Sequence, residues 1–164
     1  MPIFNFLSRY TGSRELAKEL IQETFIRLWQ AAHTFNAEGG NFKGWIYTVA
    51  LNLARDEMSK KRYTYRFIPP EELYNPGEYE KSPTTPGPDK LLEQQDTRES
   101  IAKALGRLPA LQREVIIMKN YQHLKFREIA QVTRTPESTL KARYHRAITR
   151  LKELLLPEEV NPYA

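Results

Sequence analysis

Residues 126–151 read FREIAQVTRTPESTLKARYHRAITRL, and this stretch decides the fold. Ile129 and Ala130 fall on a short helix, Val132 to Thr135 makes a tight turn, and Leu140, Tyr144, Ala147, Ile148 and Leu151 line one face of the next helix. That is helix-turn-helix spacing. The small side chain of Ala130 lets the two helices cross closely. Thr135 is the expected N-cap of the second helix, with Pro136 at its first position, where a missing N–H costs nothing. The opposite face carries Glu137, Ser138, Thr139, Lys141, Arg143, His145 and Arg146. Cations on an exposed helical face can meet phosphates, and short polar side chains near the helix start can reach base edges in the major groove. Basic helical faces are often merely solvated. Here, however, six Lys and Arg fall from Arg134 to Lys152 with Glu137 as the one acid among them, which favours a polyanionic ligand.

Working outward, Val115, Ile116 and Met118 predict a helix from Pro109 to about Asn120, and Ile101, Ala104, Leu105 and Leu108 a short one ending between Gly106 and Pro109. From Thr64 to Glu99 six of the chain's eleven prolines fall together with Gly77 and Gly87. Proline removes a backbone donor and pushes its predecessor toward extended geometry, so residues 64–97 are expected to be a flexible, acidic, Pro-rich linker. Nearer the start, Ser13 can cap a long helix on which Ala17, Leu20, Ile21, Thr24, Phe25, Leu28 and Ala32 form one buried stripe. A turn follows over Thr34 to Asn41, containing Asn36, Gly39 and Gly40. The next helix begins near Phe42, has Trp45, Ile46, Val49, Leu53 and Met58 as its expected apolar face, and ends on Lys60, Lys61 and Arg62. Cations there suit the helix macrodipole whether or not they also bind a ligand. No alternating pattern is long enough to build a sheet. The chain therefore reads as all-α, with two small helical domains at 1–63 and 98–156, the second containing the helix-turn-helix, joined by the linker at 64–97 and followed by a tail at 157–164.

Charge and composition narrow the function. The 164 residues carry 25 Lys plus Arg against 20 Asp plus Glu, a formal charge of +5. Two basic lobes flank an acidic linker, a distribution more suggestive of nucleic acid than the net charge alone. With no cysteine, disulfides, thiolate metal sites and thiol nucleophiles are excluded. No run approaches the roughly 18 apolar residues of a membrane span and Met1 to Tyr10 lacks a signal-peptide pattern, so no membrane insertion and a cytoplasmic location are expected. His33, His123 and His145 have no HExxH or paired-ligand spacing, and neither a glycine-rich phosphate loop nor GxSxG occurs, so neither an enzyme nor a cofactor is expected. Trp29, Trp45, Phe35 and Phe42 gather around the first lobe's turn and are expected mainly as core, although such aromatics can also hold an unstacked base.

These residues resemble a known family, the extracytoplasmic-function (ECF) group of bacterial sigma factors. TGSRELAKELIQETFIRLWQAAHTF followed by FKGWIYTVALNLARDEMSKKR is similar to its region 2, and LGRLPALQREVIIMKNYQHLKFREIAQVTRTPESTLKARYHRAITRLKELL to its region 4. Helix-turn-helix units are common; the two segments in this order, separated by a linker, are more specific. The resemblance implies a non-enzymatic subunit that binds RNA polymerase core and promoter DNA and has an anti-sigma partner. It implies that the helix matching Glu15 to Ala32 docks on the clamp helices of the largest polymerase subunit, which makes Leu20, Gln22, Glu23, Ile26 and Arg27 candidate contacts. The turn Thr34 to Asn41 matches the loop that captures a base flipped from the minus-ten element, and Asn52, Arg55, Lys60, Lys61 and Arg62 become candidates for the same strand. Glu137, Ser138, Thr139, Lys141, Arg143 and Arg146 match positions facing the minus-thirty-five element, in a region that also contacts the polymerase flap.

The chain departs from the family in three places. The stretch before Gly12 is shorter than the family's first helix, Arg134 stands where the turn usually has glycine, and Thr135 replaces a usual aliphatic. A non-glycine at Arg134 costs about 1 kcal/mol if the backbone there is left-handed. A free-standing helix-turn-helix regulator would explain the second lobe but leave the first without a task, and a protein-binding helical adaptor would leave the basic face unused.

Overall fold

A computed structural model describes residues 2–36, 40–60, 68 and 88–156. The described segments fold as α1 (Pro2–Thr11), α2 (Arg14–Gln30), a 3-10 turn (Ala32–Thr34), α3 (Phe42–Lys60), α4 (Pro88–Gly106), α5 (Ala110–Ile116), α6 (Phe126–Thr133) and α7 (Glu137–Leu155). Between α5 and α6 the chain continues as a π turn, Ile117–Tyr121. No strand occurs among the described residues. Lys61, Arg62, residues 64–67 and 69–87 of the expected linker, and the tail at 157–164 lie outside the described residues.

The end of the expected linker needs correction. α4 starts at Pro88, well before residue 97, and runs through Gly106. Proline at the first helical position forfeits only an N–H that has no intrahelical acceptor, and no proline or glycine interrupts residues 89–105. Ile68, in the same expected linker, is buried.

Local chemistry explains the helix ends. The Ser13 hydroxyl accepts the backbone N–H of Leu16 at 3.2 Å, the capping expected of it. At the start of α6 the Glu128 carboxylate accepts the Lys125 backbone N–H at 2.7 Å. α6 stops where Arg134 takes a left-handed conformation, φ 52° and ψ 39°, and donates its N–H to the Ala130 carbonyl. The cap of α7 is Pro136, not Thr135. With ψ 143° Pro136 is extended, so it precedes the helix; the Thr135 hydroxyl instead donates to the Thr133 carbonyl at 3.3 Å.

The two lobes share one core. Phe6, Leu7, Leu16, Leu20, Tyr47 and Leu51 from the first belong to the same buried cluster as Met118, Leu124, Ile129, Val132 and Leu140 from the second. α3 packs on α6, and α1 packs on the π turn. A smaller cluster of Leu105, Leu108, Ile116 and Ala147 ties α4, α5 and α7 together. This arrangement changes two expected faces. On α3 the most buried residues are Gly44, Tyr47, Ala50, Leu51, Leu53 and Ala54, while Trp45, Ile46, Val49 and Met58 are only half-buried. The helix is covered on more than one side, and small residues admit its neighbours. On α2 the stripe of Ala17, Leu20, Thr24 and Leu28 is buried as expected, but Phe25 and Ala32 are exposed.

Two substitutions test this account by thermal or denaturant unfolding. Leu140→Ala, at a side chain with no exposure, is expected to lower stability by about 2–5 kcal/mol. Arg134→Gly is expected to raise it by about 1 kcal/mol, since glycine occupies the left-handed region without a Cβ penalty.

Candidate nucleic-acid interface

α6, the Arg134 turn and α7 hold the helix-turn-helix rigidly. Leu140 and Ala147 are fully buried on the inner side of α7, with Tyr144, Ile148 and Leu151 partly buried beside them. The outer side is thereby committed to solvent. Ser138, Thr139, Lys141 and Arg146 are exposed, and Glu137 and Arg143 are half-buried. Glu137 sits in the first turn, where an anion complements the macrodipole, and pairs with Lys141 at 3.8 Å. Both side chains remain substantially exposed, so this contact is weak and easily exchanged for another. Arg150 pairs with Glu153 at 2.9 Å.

On the first lobe, the turn after α2 and the start of α3 carry an aromatic group. Phe35 stacks on Trp45 with ring centroids 5.0 Å apart, and Phe42 meets Phe35 edge-on at 5.4 Å. Gly40 is required there, because a Cβ would collide with the Asn36 carbonyl oxygen and the Phe35 ring. Phe42 is nonetheless exposed rather than core, as is Trp29, at 84%. Along α3, Asn52 is exposed and Lys60 pairs with Glu57 at 3.6 Å. Arg55 points into the seam between the lobes, where its guanidinium makes a two-pronged contact with Glu114: Nη2 to Oε1 at 2.6 Å and Nε to Oε2 at 3.2 Å.

α2 presents Gln22, Ile26 and Arg27 to solvent, and Arg27 pairs with the half-buried Glu23 at 2.7 Å. Leu20 does not belong with them. At 6% exposure it is a core side chain, so its candidacy as a polymerase contact is withdrawn. The sequence reading missed Phe25 and Trp29, which lie four residues apart and are exposed beside Ile26. The available signal was their spacing: with Gln22 and Ile26 they make a second stripe, too continuous to be scattered surface residues.

Residues 2–64 match the Sigma-70 region 2 family and residues 98–151 the Sigma-70, region 4 family. The ECF RNA polymerase sigma factor RpoE of Cereibacter sphaeroides is 30% identical over 148 residues, covering 90% of this chain and 77% of that protein. The chain belongs to the ECF family of RNA polymerase sigma factors. BldN of Streptomyces coelicolor, from the same family, is 28% identical over 153 residues, but this chain spans only 56% of its length. Two solved structures share the fold. The sigma factor RpoE of Bartonella quintana, in complex with the anti-sigma factor NepR, superposes with a TM-score of 0.66 at 24% identity, covering 93% of this chain and 89% of that one. CnrH, in complex with the cytosolic domain of CnrY, gives 0.63 at 20% identity over 94% and 80%. Sigma factors are initiation factors, not enzymes. No described helix is long and apolar enough to cross a membrane.

Tyrosines on this sigma factor's seam are shifted. Burial, reinforced by the Glu114 charge, holds the Tyr10 phenol far above the usual tyrosine range. Burial, with the Glu128 charge, pushes Tyr47 up to about 12. Burial opposes the charge of Arg55, but the hydrogen bond and charge of Glu114 outweigh it and keep the guanidinium above its ordinary value. A phenol raised on folding favours the neutral form, so its contribution to stability is complete below the ordinary value of 10.0 and drains as pH rises toward about 12. In an alkaline titration followed by tyrosinate absorbance, Tyr10 and Tyr47 are expected to ionise last and together with loss of helix by circular dichroism. Tyr47→Phe should remove one of these late ionisations.

Proposed function

We propose that this sigma factor directs bacterial RNA polymerase to a set of promoters and melts them through the two lobes described above. The observation that carries the reading is the occurrence of both sigma regions, in order, on one chain whose α7 presents a basic, polar outer face. α7 enters the major groove of the minus-thirty-five element, Glu137, Ser138 and Thr139 reaching toward bases while Lys141, Arg143 and Arg146 meet phosphates. The same lobe touches the polymerase flap. Gln22, Glu23, Ile26 and Arg27, with Phe25 and Trp29, dock on the clamp helices of the largest subunit. The aromatic turn and Asn52, Arg55, Lys60, Lys61 and Arg62 take the minus-ten strand, and trapping an extruded base there offsets a few kcal/mol of unstacking.

A single recognition helix binds duplex DNA modestly. Anchoring it to the enzyme through the first lobe raises its effective concentration at the second element, so the two are read jointly. The work takes place in the bacterial cytoplasm, with an anti-sigma factor as the restraining partner. The Bartonella protein, solved in complex with the anti-sigma factor NepR, supports that last point by likeness.

Transcription in vitro from a genomic fragment library, with core polymerase and the purified chain, tests the proposal directly; initiation indistinguishable from core alone would refute it. Arg143→Ala with Arg146→Ala is expected to weaken duplex binding and flatten its salt dependence by about one unit of log–log slope for each phosphate left without its cation. Unchanged slopes would place α7 away from DNA. Gln22→Ala with Glu23→Arg should abolish co-purification with core enzyme while leaving the circular dichroism spectrum intact.

A further inference from the structure

Beside the recognition surface lies a groove of about 460 Å³, formed by the start of α5 and the outer side of α7. Its α7 wall carries His145, Arg146 and Arg150, all exposed. The α5 wall carries Gln112, whose Oε1 is buried without a hydrogen-bond partner among the described residues. A buried polar atom left unpaired favours any ligand that pairs it, and a carboxamide turned about its last torsion offers N–H donors in place of the oxygen. The one acid among the described lining residues, Glu153, holds Arg150 at 2.9 Å. Both of those side chains are more than half exposed, so the contact is weak and gives way readily to a stronger anion. The Thr149 hydroxyl is already committed to the His145 carbonyl, at 3.1 Å.

Dimensions put this groove level with the sugar-phosphate backbone of any duplex that α7 reads. α7 has 19 residues and is about 28 Å long at roughly 1.5 Å per residue. The major groove is only about 12 Å wide and about 8.5 Å deep. A helix whose first turn reaches the bases therefore brings its later turns out past one wall of phosphates. Arg146 and Arg150 stand about 14 and about 20 Å along the axis from Glu137, beyond the width of the major groove. Arg143, Arg146 and Arg150 are spaced by three and four residues, so they follow one another along the same side of the helix.

We propose that the α5–α7 groove is a phosphodiester site: it takes a backbone phosphate of the duplex flanking the minus-thirty-five element, Arg146 and Arg150 supplying charge and Gln112 a hydrogen bond from the facing helix. The inference rests on the reading that α7 binds DNA, and it extends that reading to α5, a helix outside the helix-turn-helix. Contacts from two helices to one strand fix how α7 is tilted in the major groove, as backbone contacts set register without reading sequence. A free phosphorylated ligand offers the same chemistry. The DNA backbone is favoured because the groove opens beside Arg146 and in line with Arg143, so a strand held by those two continues into it.

Binding of the full chain to a mixed-sequence duplex, measured across a salt series, tests the site in the parent, Arg150→Ala, Gln112→Leu and Gln112→Glu, with circular dichroism as the check on folding. Arg150→Ala is expected to weaken binding and to lower the log–log salt slope by about one unit. Gln112→Leu, which keeps the size of the side chain, should weaken binding several-fold at an unchanged slope, since a neutral hydrogen bond releases no counterion. Gln112→Glu should weaken it on the order of tenfold by setting an anion against the phosphate. Parent-like affinity in both Gln112 variants would overturn the groove whatever Arg150→Ala does. Where a Gln112 variant loses helical signal, Arg150→Ala, at an exposed position, decides by its slope, and an unchanged slope overturns the site. If Arg143→Ala with Arg146→Ala loses affinity while these variants do not, the groove falls and α7 stays on DNA; if none of them loses affinity, both readings fall. Inorganic phosphate and ATP are titrated separately without DNA. Saturable binding of either that Arg150→Ala abolishes, with duplex affinity untouched, would assign the groove to a free phosphorylated ligand and overturn the DNA site.

Discussion

A carboxylate removed from water must keep its charge satisfied, and the placement of Glu114 makes both lobes answer to that requirement. The side chain belongs to α5, whose Val115 and Ile116 are buried, while the groups that satisfy it come from α1 and α3. The pair is worth little as net stability, because desolvating two charges offsets most of their attraction. Its effect is selective: it is satisfied in one registry of the lobes, and a shift of α3 along α6 would leave a buried charge without a partner. The apolar contacts around it are permissive by comparison, since Leu51, Met118, Ile129 and their neighbours would accept several offsets at similar cost.

The same seam explains why α3 carries no single apolar face. Ala50 and Ala54 are fully buried, and Gly44 and Leu53 nearly so, at positions that cover more than one side of the helix. α2, which packs within its own lobe, keeps a clean stripe. A helix between two partners is recognised by small residues spread around its circumference, and that pattern has no strong period in the sequence.

Legibility of the fold in the sequence followed the range of the interactions. Ser13 as a cap, the α6–turn–α7 unit and the inner face of α7 are set by neighbours a few residues away, and each was visible as a spacing. The left-handed Arg134 was foreseeable for the same reason, because the turn geometry leaves few alternatives. Pro88 was misleading: proline density carried the expected linker to residue 97, although proline opens helices as readily as it ends them. Leu20, Phe25 and Trp29 show the limit more clearly. All three are large and apolar on one helix, and only the position of α1 and α3 decides that Leu20 is covered while the other two face water. Arg55 is the extreme case, since its partner lies 59 residues away in the other lobe and no local pattern marks the pairing.

The nearly naked indole of Trp29 has a further consequence. The chain holds just two tryptophans, and the other, Trp45, is half-buried against a stacked phenyl ring. Their emission should therefore separate by environment, the water-facing ring at longer wavelength and the sheltered one quenched or shifted to the blue. Any body that settles on α2 changes the first signal, so the molecule carries its own dye for watching that surface become covered.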